Sequence, residues 1–279
     1  MPAAVTVGRV TAVAWPPQAD LAVALAEAAD RSPPFPGVGP LPDRPIRLLL
    51  ASNRARFDSL TRGRLPSWSE GAAFPDRGAI VLLSDRPSVR LSVALRHELA
   101  HLALRWRVGR PLPLWFEEGY AAVAAGEWDR LDALRLDWQV ARGVHMNLDE
   151  VDHALRSDAA NAAAAYGLAT TAVSLLDRWG GGGAQGLTRL IDALARAPTF
   201  DAALRGTYHM TEGDFEGRWQ RDVAAHYGWL GWAEAAGAFW AVVGTALAWL
   251  VWRRRRRDRE RKALLDEGWT VPAPDDPTA

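Results

Sequence analysis

His97-Glu98-Leu99-Ala100-His101 places two imidazoles four residues apart with a carboxylate beside the first. On a helix of 3.6 residues per turn, positions four apart share a face, so His97 and His101 can grip one metal ion. Glu98 falls close enough to the same ion to take a proton from a water activated there. Neutral imidazole nitrogens suit zinc, which needs a further protein ligand and keeps one position open when it is catalytic. The chain has no cysteine, so thiolate ligands are excluded and any zinc must be held by His and carboxylate. The flanks support a helix: Val93-Ala94-Leu95 precedes the motif, Leu102-Ala103-Leu104 follows it, and neither Gly nor Pro occurs from Leu91 to Val108. Two histidines meeting on a helix by chance is the plain alternative, which five residues alone do not dispose of.

A carboxylate in a suitable place stands seventeen residues past His101, in Leu112-Pro113-Leu114-Trp115-Phe116-Glu117-Glu118-Gly119-Tyr120-Ala121-Ala122. Pro111 and Pro113 interrupt the first helix, and Trp115 begins a second. Gly119, Ala121 and Ala122 are small enough to let the two helices approach to ligand distance. The competing explanation is a solvated acidic pair, favoured near a helix N-terminus by the helix dipole.

The pattern Trp-aromatic-x-Glu-Gly-aromatic-Ala resembles the zinc-glutamate helix of the gluzincins, in their aminopeptidase branch and in bacterial peptidase MA-like domains. The order of elements from about Val5 to Tyr227 resembles a peptidase MA-like domain as well. The resemblance implies one Zn2+ per chain held by His97, His101 and Glu118, with Glu117 as a solvent-facing neighbour. It implies hydrolysis of a peptide or protein substrate with Glu98 as general base. It also implies a residue stabilising the charge on the scissile carbonyl oxygen. The candidates are Tyr120, Tyr166, His145, His153, Tyr208, His209 and His226, of which Tyr166 resembles a recurring tyrosine of the family. The implied fold is α+β and zincin-like: a small mixed sheet with an edge strand beside the His97 helix, then a helical C-terminal half. Two departures matter. Ala122 stands where the thermolysin branch has an acid that supports a metal ligand, and the substrate-amine motif of the aminopeptidases is absent from Gly63 to Gly71. Endopeptidase chemistry is therefore the default.

The elements that must hold these residues can be read in outline. Val5 to Ala14 alternates and reads as a strand, and Asp20 is placed to cap a helix reaching about Asp30. Ser32 to Pro45 is a loop rich in Pro and Gly, and Ile46 to Ala51 is a buried strand. Ala79 to Leu83 is a further strand, which the resemblance makes the edge holding an extended substrate backbone. From Ser88 the pattern is helical, broken at Gly143, at Gly180 to Gly183 and near Pro198. Gly180 to Gly183 lacks the strand, Lys and Ser/Thr of a phosphate loop, so nucleotide binding is rejected. The catalytic domain is expected over 1–228, with 1–87 mainly sheet-forming and 88–228 carrying the zinc helices and helical half.

Charge bounds the remaining possibilities. The 279-residue chain has 33 Lys and Arg against 33 Asp and Glu, so no overall field draws it to nucleic acid. Ala235 to Trp252 is eighteen residues without a charge, about 27 Å as a helix and close to the apolar thickness of a bilayer. Trp229, Trp232, Trp249 and Trp252 flank it, and Arg253 to Arg257 follow at once. A membrane helix over 229–252 and an Arg-rich cytoplasmic tail over 253–279 are the expectation, with the zinc domain extracytoplasmic. A buried core helix with a basic cap is the alternative. Export of so large a domain calls for a signal peptide, whereas Met1 to Trp15, interrupted by Arg9, reads as a strand. A start upstream of Met1 is the expectation. The function expected is a membrane-anchored zinc metallopeptidase. Its rivals are a zinc hydrolase of a non-protein amide and a non-catalytic assembly module of the same fold.

Overall fold

The computed structural model describes residues 1–63, 65–85, 88–127, 130–227 and 240–256. The chain divides into two compact units, Met1–Gly228 and Trp229–Ala279. The first unit opens with a β-hairpin, β1 (Ala3–Val7) and β2 (Val10–Ala14), in place of the single strand read from its alternation. Gly8 turns the chain at φ +53°, a conformation glycine adopts without steric cost. Helix α1 (Ala19–Asp30) begins after Gln18, so Asp20 lies in its first turn and does not cap it. There follow β3 (Ile46–Ala51), α2 (Arg54–Thr61), β4 (Gly71–Phe74) and β5 (Ala79–Leu83). The helical half contains α3 (Ser88–Val108), α4 (Leu114–Ala125), α5 (Arg130–Ala141), α6 (Leu148–Ala154) and α7 (Ala159–Trp179). It ends with α8 (Thr188–Arg196), α9 (Phe200–Tyr208) and α10 (Glu212–His226).

These five strands form one mixed sheet in the order β1-β2-β3-β5-β4. The central strands β2, β3 and β5 are parallel, and the outer two run antiparallel to their neighbours. This corrects the reading of Ala79–Leu83 as the edge. All five residues of β5 are apolar and buried, as befits a strand covered on both faces, and it lies between β3 and β4. The edge is β4, Gly-Ala-Ala-Phe, whose small residues carry little strand signal of their own and are held extended by pairing with β5. One sheet face packs Ile80 and Leu82 into the main core with residues of α1 and α3, while the other puts Ala72, Val81 and Leu83 against Phe57 of α2.

In the helical half, α4 packs against both α3 and α7. A Cβ on Gly119 would collide with the carbonyl of Ala169, so this glycine serves the approach of α4 to α7 and not, as expected, to α3. Among the described residues α7 is the helix long and apolar enough to cross a membrane, yet 67% of its apolar window is buried in the domain. It is a core helix. Of the segment expected to span a membrane, 229–239 lie outside the described residues, as do 257–279 of the tail. Residues 240–256 form a helix that leaves Trp240, Val242, Leu247, Trp249, Leu250 and Trp252 exposed. The guanidinium groups of Arg253 and Arg256 lie over the rings of Trp249 and Trp252, each one helical turn back.

Candidate metal centre and cleft

Helix α3 carries His97 and His101 on one face, with their Nε2 atoms 3.1 Å apart. Helix α4 brings Glu118 Oε2 to 3.3 Å from His97 Nε2 and 3.7 Å from His101 Nε2. These three side chains are the cluster able to hold a metal ion among the described residues. A tetrahedral zinc ion with donors at about 2.0–2.1 Å spaces them roughly 3.3–3.4 Å apart, so the three atoms have suitable separations. Both histidines converge through Nε2, which leaves each Nδ1 for a supporting partner. Two imidazoles and one carboxylate also make a donor set that zinc accepts.

The same oxygen of Glu118 is also held from α7. Tyr166 on α7 donates its hydroxyl to Glu118 Oε2 at 2.6 Å, a reach made available by the close helix contact at Gly119. Tyr166 in turn meets Trp68 edge to face, and the Trp68 indole donates to the carbonyl of Ser157 at 3.3 Å. The start of α4 is fixed by Asp152, whose carboxylate accepts from the amides of Leu114 and Trp115. Glu117 is not simply the solvated neighbour expected. Its Oε1 accepts from the Leu112 amide at 2.8 Å and lies 4.0 Å from Arg105, so it braces the turn into α4.

Glu98 is buried beside the cluster and lies against the edge strand. A Cβ on Gly71 would collide with its carboxylate, so glycine is what lets β4 run past this side chain. The backbone of β4 has a free side. Leu83 donates its amide to the Glu70 carbonyl at 2.9 Å, and antiparallel pairs alternate between bonded and non-bonded. Continuing that alternation through the register Gly71↔Leu82 to Phe74↔Ala79 turns the N–H and C=O groups of Gly71 and Ala73 to the open edge. A cleft of ≈ 980 Å³ is lined by this edge, Glu98, Tyr166 and the three-residue cluster. A smaller cavity of ≈ 330 Å³, between α5 and α7, shares Trp68, Glu127, Ala159 and Tyr166 with it.

The protonation states follow from burial set against charge. Burial works to lower the pKa of His97, but hydrogen bonding to Glu118 and Glu127 and the nearby carboxylate charges hold it well above 6.5. His101 is raised as well, burial being overcome by the charge of Glu118 and its hydrogen bond. Glu118 shows the converse: burial would raise it, and the two imidazoles bring it well below 4.5. Glu98 is raised above 4.5, chiefly by burial, against the favourable charges of His97 and His101. Tyr166 is raised well above 10 by burial and by Glu118, so its hydroxyl stays a proton donor at neutral pH.

The other candidates go elsewhere. Tyr120 is buried and donates to the Pro36 carbonyl, while Tyr208 donates to that of Leu176. His209 ends α9 in the left-handed conformation, and His226 sits against Asp222 of its own helix. His145 and His153 do not line the cleft. The structure therefore brings together His97, Glu98, His101, Glu118 and Tyr166 and leaves the remaining six outside. Sequence reasoning missed Gly71, which carries no motif, and Glu127, whose only signal is a glycine just before it at the end of a helix.

A model of the Peptidase MA superfamily matches residues 38–225, a span that runs from the loop before β3 to α10 and includes the whole cluster. The chain belongs to the Peptidase MA superfamily. Comparison with curated proteins found no match. Peptidase MA membership carries a metallopeptidase-like function, and the superfamily is typically metal-dependent. The small sheet followed by a mostly helical half is in keeping with a peptidase MA fold.

Proposed function

We propose that this peptidase MA domain is a zinc-dependent endopeptidase in which His97, His101 and Glu118 hold the ion. The observation that carries the reading is the convergence of their three donor atoms in a cleft that the edge strand β4 also lines. When bound there, zinc supplies a Lewis acid that polarises the scissile carbonyl and lowers the pKa of water.

The chain's own groups do the rest. The free N–H and C=O groups of Gly71 and Ala73 bind the substrate backbone as an added strand, which favours extended peptide over any particular side chain. Glu98, with a pKa raised by burial, takes a proton from the attacking water at its carboxylate and passes it to the leaving amine. Tyr166 keeps its proton and orients Glu118; to serve the charge that grows on the carbonyl oxygen, its single O–H must turn from Glu118 to the substrate.

The second unit anchors the domain. In this reading residues 229–252 span a membrane, 253–279 remain cytoplasmic, and the peptidase domain faces outward. Support comes from the exposed apolar surface of helix 240–256, which water does not favour, and from the arginines that follow it. The deciding experiment is metal content and turnover of the purified full-length chain. One zinc per chain and cleavage of unfolded protein substrates are expected, and both should be lost in His97→Ala and His101→Ala. Stoichiometric zinc in the double variant would remove the basis of the reading. Tight zinc binding without cleavage of any peptide would favour the assembly module.

A further inference from the structure

We propose that Glu127 is a positioning residue for the metal centre: its carboxylate accepts a hydrogen bond from the Nδ1–H of His97 and aims Nε2 at the ion. This rests on the zinc reading above. The inference begins with helix termination. Helix α4 ends at Gly126, which has φ +68°, and the Gly126 amide bonds to the Val123 carbonyl at 3.2 Å. The next amide, of Glu127, bonds back to the Ala122 carbonyl at 3.1 Å. These two bonds and the left-handed glycine make a Schellman cap, which fixes the direction in which the chain leaves the helix. The same end is tied to α3 from outside, because Arg96 Nε donates to the Ala124 carbonyl at 3.1 Å. The rest of the Arg96 guanidinium holds Ser32, Pro33 and Pro34.

With its backbone fixed this way, Glu127 places Oε1 3.1 Å from His97 Nδ1, a buried nitrogen that no other group satisfies among the described residues. His97 is thus flanked by two carboxylates of one helix and its cap: Glu118 at Nε2 and Glu127 at Nδ1. Only one of them can share the metal. An imidazole that ligates through Nε2 carries its proton on Nδ1, and a carboxylate there selects that tautomer and raises the basicity of the ligating nitrogen. Position 122, one turn past Glu118, cannot do this, since it is a buried alanine. The support comes from five residues further on, and the capping glycine is what returns the chain to the site.

The test is zinc affinity measured by chelator competition, with the full-length chain and its Glu127→Ala, Glu127→Gln and Gly126→Ala variants. Loss of an outer-sphere carboxylate weakens metal binding by about 10–100-fold, and that range is expected for Glu127→Ala. Glu127→Gln keeps the shape and an acceptor oxygen, so a smaller loss is expected. Gly126→Ala should weaken zinc although its own side chain touches no ligand. Nitrogen NMR of the zinc-loaded chain supplies a readout that a merely structural role would not move: the Nδ1 proton of His97 should exchange faster in Glu127→Ala. Unchanged zinc affinity and unchanged Nδ1 exchange in both Glu127 variants would overturn the proposal. If the unaltered chain binds no zinc, it is the functional reading that fails, together with everything resting on it.

Discussion

At the scale of single residues, Glu98 and Gly71 act as a pair. Glu98→Gln preserves the side chain's shape and removes the proposed base, so zinc should be retained while kcat falls by about 10²–10⁴-fold. Equal metal content with equal turnover would exclude Glu98 as the base. Gly71→Ala tests the same carboxylate from the other side. The added Cβ has nowhere to go unless Glu98 or the strand shifts, so activity should fall sharply with zinc still bound. A fully active Gly71→Ala variant would mean that Glu98 tolerates displacement, which is incompatible with proton transfer over hydrogen-bond distances. The cluster itself predicts a pH dependence. In the metal-free chain His97 and His101 have pKa values raised above 6.5, so their stabilising contribution is complete below that pH and is lost as pH rises through the folded values. Glu118, depressed below 4.5, contributes above that pH and loses its contribution only as pH falls through its own folded value. Thermal melts in chelator should therefore show stability declining on the alkaline side, and zinc should reverse the trend because it binds neutral imidazoles. Parallel curves with and without zinc would contradict the assignment.

At the scale of elements, the site depends on where α4 begins and ends. Its start is held by Asp152 and by Glu117 reaching back to Leu112. Glu117→Ala should cost about 1–3 kcal/mol of stability, since it strips the partner from a covered amide, while zinc stoichiometry stays at one per chain. Loss of zinc in that variant beyond the loss in Glu118→Ala would move the ligand assignment by one residue. The middle of α4 is set by Gly119 against α7, and this contact is what carries Tyr166 to Glu118. The edge strand belongs to this scale as well. Gly71, Ala72 and Ala73 are small, and they are held extended by pairing with β5, which is wholly apolar and buried.

At the scale of the whole molecule, the two units can be tested separately for their relation to a membrane. On the proposed topology, in which consecutive arginines keep the tail cytoplasmic, protease added to intact cells should degrade the peptidase domain and spare the tail beyond Arg253. The opposite protection would place the domain inside the cell. Recovery of the intact chain in the soluble fraction would remove the anchor altogether.

Much of the chemistry was written locally. A helical period of 3.6 is enough to put His97 and His101 on one face with Glu98 beside them, and the prolines before Trp115 suffice to separate α3 from α4. Those are short-range rules, and residues within one turn obey them whatever surrounds them. What no local rule reaches is the pairing of distant segments. Whether Ala79–Leu83 or Gly71–Phe74 forms the edge depends on which strand finds a second neighbour, and the hydrophobic run marks only burial. Glu118 and Tyr166 meet across 48 residues because a missing Cβ at Gly119 lets two helices touch, an effect invisible in composition. Glu127 is the sharpest case. Its sequence position shows an acid after a capping glycine and nothing more; only the fold, by pinning that cap to α3, decides that the acid faces His97.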